Sequence, residues 1–232
     1  PSSVSDFYTT SDIVGALEKG PNGYFYSANW TDNTIMVLDS GGNVIDTFGG
    51  PGTGNGQFDN PADIAFDNSG NVYVADKYNH RIQKFDLDGN YISQWGTNGT
   101  ENGEFDGPFS LAFDSGYNLY VTDYWNNRIQ KFTSNGVFID ATTAVGSNIG
   151  EITSPYGVTI VDDKIYVTEV DNHRVQVFDT DLNYIRTWGQ FGSGNLDFNL
   201  PRNITSKNGY LYIADTENER IKVYDAYGVL IA

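Results

Sequence analysis

A period of 46 to 47 residues runs through almost the whole chain. Asn29, Asp76, Asp123, Glu169 and Asp215 each open a short loop between two strand patterns, at intervals of 47, 47, 46 and 46 residues. Pro61, Pro108, Pro155 and Pro201 precede the first strand pattern of their units at intervals of 47, 47 and 46, and Val14 takes that place in the first unit. In the second unit the strand patterns are "ADIAFD", "NVYVAD", "RIQKFD" and "YISQW", with the glycine-containing turns "NSG" and "LDG" after the first and third. Such turns close tight hairpins. No segment holds a 3.6-residue apolar period, so almost no helix is expected.

A four-stranded antiparallel sheet of this length cannot bury both of its own faces. Repeating it every 46 or so residues lets neighbouring sheets pack face to face about an axis, which is an all-β propeller. Radial packing also limits exposed strand edges. An open, stacked solenoid is the alternative. The expected domain is one propeller over residues 1–232, with units near 13–48, 60–96, 107–143, 154–189 and 200–232.

The segments "NPADIAFDNSGNVYVADKYNHRIQKFDLDGNYISQWG" and "SPYGVTIVDDKIYVTEVDNHRVQVFDTDLNYIRTWG" resemble NHL repeats, and the resemblance extends over residues 13–232. It implies a β-propeller, and propellers of that family usually have six blades. Five units are visible here, so the ring either closes with five blades or is part of a six-bladed or longer array. Residues 4–8, "VSDFY", add a strand pattern with no unit of its own. It reads as a strand within residues 1–12 that clasps the ring beside the last blade, or as the remnant of a preceding blade; the clasp is the expectation.

Charge removes several partner classes. Lys and Arg number 13 against 30 Asp and Glu, a formal charge of −17. Nucleic acid binding needs basic side chains that displace counterions from phosphates, so nucleic acid is not an expected partner. Anionic membrane surfaces are disfavoured on the same ground, and no apolar run approaches the roughly 18 residues of a spanning helix. With no cysteine, thiolate catalysis, disulfides and Cys-ligated zinc are excluded. Pro1 begins no recognisable signal peptide, so the sequence reads as a mature protein or an excised domain. Three Asn-x-Thr sequons, at Asn29, Asn98 and Asn203, together with the acidic surface, point to an extracellular or cell-surface location with glycans at those positions.

The recurring residues read as frame. Asp76 and Arg81, Asp123 and Arg128, Glu169 and Arg174, and Asp215 and Arg220 flank four-residue loops, where opposite charges meet across the strands. As exposed pairs they would each contribute up to about 1 kcal/mol and serve mainly to fix register. Asn79, Asn126, Asn172 and Asn218, at the third step, suit a left-handed turn position. Asn29 and Thr34 replace the charged pair in the first unit, which should be the least firmly locked. Phe58, Phe105 and Phe198, with Ile152 in the fourth unit, recur before the prolines and are expected to pack beneath the loops.

Catalytic signals are weak. The lyase branch that resembles this scaffold uses histidine-bound zinc in the central cavity, whereas His80 and His173 are the only histidines and occupy hairpin loops. Lyase- or lactonase-like chemistry at the axis remains the alternative class. No catalytic set, resident metal or cofactor is expected. Calcium is the one ion with a sequence signal, since "DLDGN" at 86–90 and "DTDLN" at 179–183 alternate oxygen ligands, but both lie where ordinary turns are expected.

The exceptions to the period carry the binding signal. Trp30, Tyr78, Tyr124 and Trp125 follow the loop-opening residues of units one to three, and units four and five lack aromatics there. Rings beside Asn and Asp suit glycan or protein recognition. Their alternative role is to pack on the long loops "GGPGTGNGQFDN" and "GTNGTENGEFDG". The first-strand entrances add Asp63, Phe109, Tyr156 and Arg202 around the axial mouth. The expected function is a non-enzymatic interaction module or scaffold on that loop-rich face, with self-association into a surface assembly as a variant.

Overall fold

The computed structural model describes residues 14–232, and the strand expected within residues 1–12 lies outside them. The chain forms a five-bladed propeller of antiparallel blades. Blade one is built from strands Val14–Lys19, Phe25–Asn29, Thr34–Leu38 and Val44–Gly49. Blade two repeats it with Pro61–Phe66, Val72–Asp76, Arg81–Phe85 and Tyr91–Trp95. Blades three and four have the same plan, and each sheet keeps its strands in sequence order. Blade five has strands Pro201–Lys207, Tyr210–Asp215 and Arg220–Asp225, and residues 229–232 run along its outer edge through a Tyr224–Leu230 bridge. Among the described residues the helical content is two single 3₁₀ turns, Lys77–Asn79 and Thr216–Asn218.

The apolar alternation of each strand supplies two faces, one toward the preceding blade and one toward the next. Between blades one and two, Tyr26, Ala28, Ile35 and Val37 meet Phe58, Ile64, Val72, Val74 and Phe85 in one buried cluster. Three further clusters fill the next three seams in the same way. Phe58, Phe105, Ile152 and Phe198 are fully buried in them, as their recurrence implies. Hydrogen bonds cross the same seams. The hydroxyls of Tyr26, Tyr73, Tyr120 and Tyr166 donate to the carbonyls of Leu87, Ser134, Thr180 and Ala226 in the next blade.

The charged hairpin pairs are not exposed, which corrects the expectation from sequence. Asp76 is fully buried, and Arg81 donates from Nε to its Oδ2 at 2.7 Å. The remaining guanidinium N–H groups reach the carbonyls of Thr53, Gly54 and Gln57, in the long loop that enters the blade. Arg128 makes the same contacts with Thr100, Glu101 and Glu104, and Arg174 with Ser147, Asn148 and Glu151. Arg220 repeats them on Ser193, Gly194 and Asp197. The loop folds over each pair because the guanidinium is the donor that satisfies its carbonyls; a buried carbonyl left unpaired is costly. Each pair is thus a clamp joining a hairpin to its incoming loop.

The asparagine at the third loop step also acts differently from expectation. Asn79 Nδ2 donates to the Asp76 carboxylate and to Gly52 O, and Asn126, Asn172 and Asn218 do the same in their blades. The left-handed residue is the next one: Asn33, His80, Asn127, His173 and Glu219, with φ between 52° and 57°. Four of these side chains accept an N–H from the following blade, from Asn60, Gly107, Ser154 and Leu200 respectively. Both histidines therefore serve as seam ties. In blade one, Asn29 Oδ1 caps the loop by accepting from Thr31 N and Asp32 N, in place of the charged clamp.

Candidate functional site: the axial mouth and channel

The innermost strands of all five blades surround a channel of about 600 Å³. At one end it opens through a cavity of about 180 Å³, lined among others by Trp30, Asp63, Phe109, Tyr156, Arg202 and Asn203. Phe109, Tyr156 and Arg202 reach it because each directly follows the proline that starts its strand. Trp30 comes from the hairpin loop of blade one and lies across Gly15, where a side chain would collide with the indole.

The rings form one connected series. Phe109 and Tyr156 have centroids 3.9 Å apart, and Trp30 meets Phe109 edge-on at 6.5 Å. Tyr124 bridges outward, 6.2 Å from Phe109 and 5.8 Å from Trp125. Tyr78 stacks on Trp125 at 5.9 Å with an interplanar angle of 13°. Sequence reasoning offered exposure and packing as alternatives for these four loop aromatics, and the molecule divides them. Trp30 turns toward the axis and Tyr124 packs between Phe109, Tyr156 and Trp125, while Tyr78 and Trp125 remain 47% and 43% exposed. Trp125 rests on Gly107, whose φ of +67° and lack of a side chain permit that approach.

Two cations sit on this surface. Lys77 Nζ lies 4.9 Å from the Tyr78 centroid, 5.1 Å from Phe109 and 5.2 Å from Trp125. Arg202 lies over Tyr156 at 5.9 Å. Neither has a carboxylate partner within ion-pair distance among the described residues, in a chain with a charge of −17. Burial lowers the Lys77 pKa, and burial raises that of Tyr156 against the opposing pull of Arg202. The indole Nε1–H of Trp30 is buried with no acceptor among the described residues. Stacked cations over aromatic faces hold their position while keeping N–H groups for a ligand.

Deeper in the channel the charge reverses. Asp63 Oδ2 accepts from Ser110 Oγ at 2.7 Å and from Leu111 N at 2.8 Å, and Oδ1 accepts from Ile64 N. Burial nonetheless pushes its pKa up to about 6, against the effect of those bonds. Glu18 lines the same channel and is exposed to the solvent in it. Desolvation, then the charge of Asp63, raise it to about 7. Glu18 gave no signal in the sequence because nothing in its unit's pattern marks it; only the ring brings it near Asp63. Lys77 was visible beside Tyr78 but carried no assigned role.

The remaining sequence candidates are placed as follows. Asn29 is 1% exposed, and its Nδ2 donates to Asp32, so a glycan there requires opening the turn. Asn98 is exposed beside His80 Nε2, and Asn203 is exposed at the mouth. Asp86 and Asp179 use their carboxylates on amides within their own turns. Among the described residues no group of three or more His, Asp or Glu is placed to hold a metal ion.

Known proteins show the same architecture. The NHL repeat family matches residues 58–85 and 105–132, and a family described as a 6-bladed beta-propeller matches residues 138–231. Among curated proteins none matches the sequence significantly. Virginiamycin B lyase from Staphylococcus aureus superposes with a TM-score of 0.71 at 17% identity, covering 94% of this chain and 68% of the lyase. A chain of the nidogen/laminin complex gives 0.72 at 18% identity, covering 96% of this chain and 80% of its own. A protein of unknown function from Bacteroides caccae gives 0.69 at 13%, covering 96% and 81%. At these identities the likeness is one of fold. Repeat, blade and seam agree with these matches: the chain is a β-propeller in which residues 58–85 and 105–132 match NHL repeats.

Proposed function

We propose that this propeller is a non-enzymatic recognition module, acting at a cell surface or outside the cell, that binds a glycan at the axial mouth. The observation that carries this reading is the connected series from Trp30 to Tyr78, set with Lys77 and Arg202 around a small cavity. Sugar rings present apolar faces that stack on aromatics and hydroxyls that pair with polar rims. The unpartnered Trp30 N–H and the two cations supply donors for them. The exposed sequon at Asn98 supports the location.

The test is binding to a glycan array, with Trp30→Ala, Arg202→Ala and Trp125→Ala beside the unaltered chain. Retained glycans should lose at least tenfold affinity in the first two variants and less in the third. Absence of any bound glycan, or equal binding by all variants, removes the reading.

A protein partner is the second reading. It is supported by the Tyr78–Trp125 stack, which extends the ring series out onto the exposed surface, and the laminin complex of nidogen is an instance on a similar fold. In that case Trp125→Ala has the larger effect, because the outer stack would carry the contact. The enzymatic alternative draws on the Asp63–Glu18 pair, and the similar lyase shows that such a scaffold hosts catalysis. It predicts turnover abolished by Glu18→Gln with ligand affinity retained.

A further inference from the structure

We infer, resting on the glycan reading above, that the mouth takes one kind of chain end: a single terminal sugar residue bearing a carboxylate, held chiefly by Arg202 with Lys77 as a second cation. Two tiers of five equivalent positions build the opening. The residues that follow the prolines, or Val14 in the first unit, are Gly15, Ala62, Phe109, Tyr156 and Arg202. Those that follow the loop-opening positions are Trp30, Lys77, Tyr124, Val170 and Thr216. Each tier holds one cation, from blade five in the first and from blade two in the second. Lys77 reaches over Phe109 at 5.1 Å, and Arg202 over Tyr156 at 5.9 Å. Phe109 and Tyr156 lie between them, with centroids 3.9 Å apart.

Both cations lack an acceptor. Elsewhere the clamp arginines pair with carboxylates, Lys84 pairs with Asp67, and Lys131 and Arg186 donate to the carbonyls of Thr180 and Ala226. The Lys77 ammonium and the Arg202 guanidinium enter no hydrogen bond or ion pair among the described residues, in a chain with 30 Asp and Glu. Asn203, beside Arg202 in the cavity lining, gives its Oδ1 to Ile204 N and keeps its amide N–H groups. Asp63 also lines the cavity, but its two oxygens already accept from Ile64, Ser110 and Leu111. The mouth therefore offers donors and few free acceptors, which suits an anion.

Size and field favour one acid at a chain end over a polyanion. The cavity of about 180 Å³ has the volume of roughly six waters, room for one sugar ring. Around it the chain carries a charge of −17, which repels a run of acids while donors at contact distance still hold one. A sugar acid uses the whole opening. Its apolar ring face stacks on Phe109 and Tyr156, and its carboxylate meets the planar fork of Arg202 in two parallel bonds. An acidic peptide carries the carboxylate without the ring.

The experiment changes the ligand before the protein. An array carries oligosaccharides ending in glucuronate, galacturonate or N-acetylneuraminate, each beside its counterpart with the carboxyl group reduced to an alcohol. The unaltered chain should hold at least one acidic member about tenfold more tightly than its reduced twin. Raising the salt from about 0.05 M to about 0.5 M should weaken that binding about threefold or more and leave neutral members unchanged. Arg202→Gln should erase the preference for the acid, Arg202→Lys should keep part of it, and Lys77→Gln should reduce it less. Lys207→Gln removes a charge at the far end of the same strand and should change nothing. Thermal midpoints establish that the variants fold, and the paired glycans give an answer without them. Equal retention of the reduced twins, or of neutral glycans only, overturns the inference and leaves the glycan reading standing. An acid preference that Arg202→Gln and Lys77→Gln both preserve also overturns it, by placing the anion elsewhere. Displacement of the glycan by hexaglutamate at equal concentration overturns it in favour of a protein partner. Retention of no glycan at all removes the glycan reading and this inference together.

Discussion

Blades two and five are built from one pattern and differ in what surrounds them. Both have the left-handed hairpin residue, the buried acid, the arginine across from it and an incoming loop held by three carbonyl contacts. In blade two the arginine side chain is 7% exposed; in blade five it is 30% exposed. Ile82 is fully buried and Ile221 is not. A repeat therefore specifies the hairpin, clamp and turn locally, and the next blade decides how much each residue contributes.

The comparison is tested most severely at the clamps. Arg81→Ala leaves the Asp76 carboxylate and three loop carbonyls short of a donor, and removing one partner of a buried pair costs about 3–5 kcal/mol. Arg220→Ala, in the more open clamp, should cost about 1–2 kcal/mol. Urea denaturation of both variants measures the difference, and equal losses would mean that burial does not set the clamp's value. Next in size is the core pair. Ile82→Ala should cost about 2–4 kcal/mol by opening a cavity at the seam, whereas Ile221→Ala should stay within about 0.5 kcal/mol.

Tyrosine hydroxyls give a finer reading. Tyr73→Phe removes bonds to Asp67 and Ser134 O, an expected loss of about 1–2 kcal/mol, while Tyr212→Phe should be silent. The smallest effect comes from the channel. Asp63 and Glu18 are raised to about 6 and about 7, so the folded chain holds more protons than the unfolded one from about pH 4 up to those values. Their contribution is fully present below the unfolded pKa and lost as pH rises through 6 and 7. Melting midpoints should therefore fall between pH 5 and 7.5. Glu18→Gln should flatten the upper part of that fall; an unchanged slope would place the dependence elsewhere.

The two regions also show why the sequence was readable to different depths. Units, strands and the aromatic exceptions were legible because period-two alternation and turn residues act over a few neighbours. The depth of the clamps was not, because Arg81 is buried by a loop that begins about 30 residues earlier in the chain. For the site, Asp63, Phe109, Tyr156 and Arg202 could be placed together, since the repeat puts the last three one step after their prolines and Asp63 two steps after Pro61. The inward turn of Trp30 depends on the space above Gly15, and strand alternation carries no signal for it.

By itself the sequence determined the blade: its length, its strand order, its hairpin chemistry and the apolar face offered to a neighbour. Local backbone preferences and side-chain alternation suffice for those. Tertiary structure alone decided which carboxylates meet in the channel, which loop aromatic turns to the axis and how deeply each of the equivalent blade faces is buried among the described residues. Those outcomes depend on contacts between units whose separation in the chain no local preference can encode.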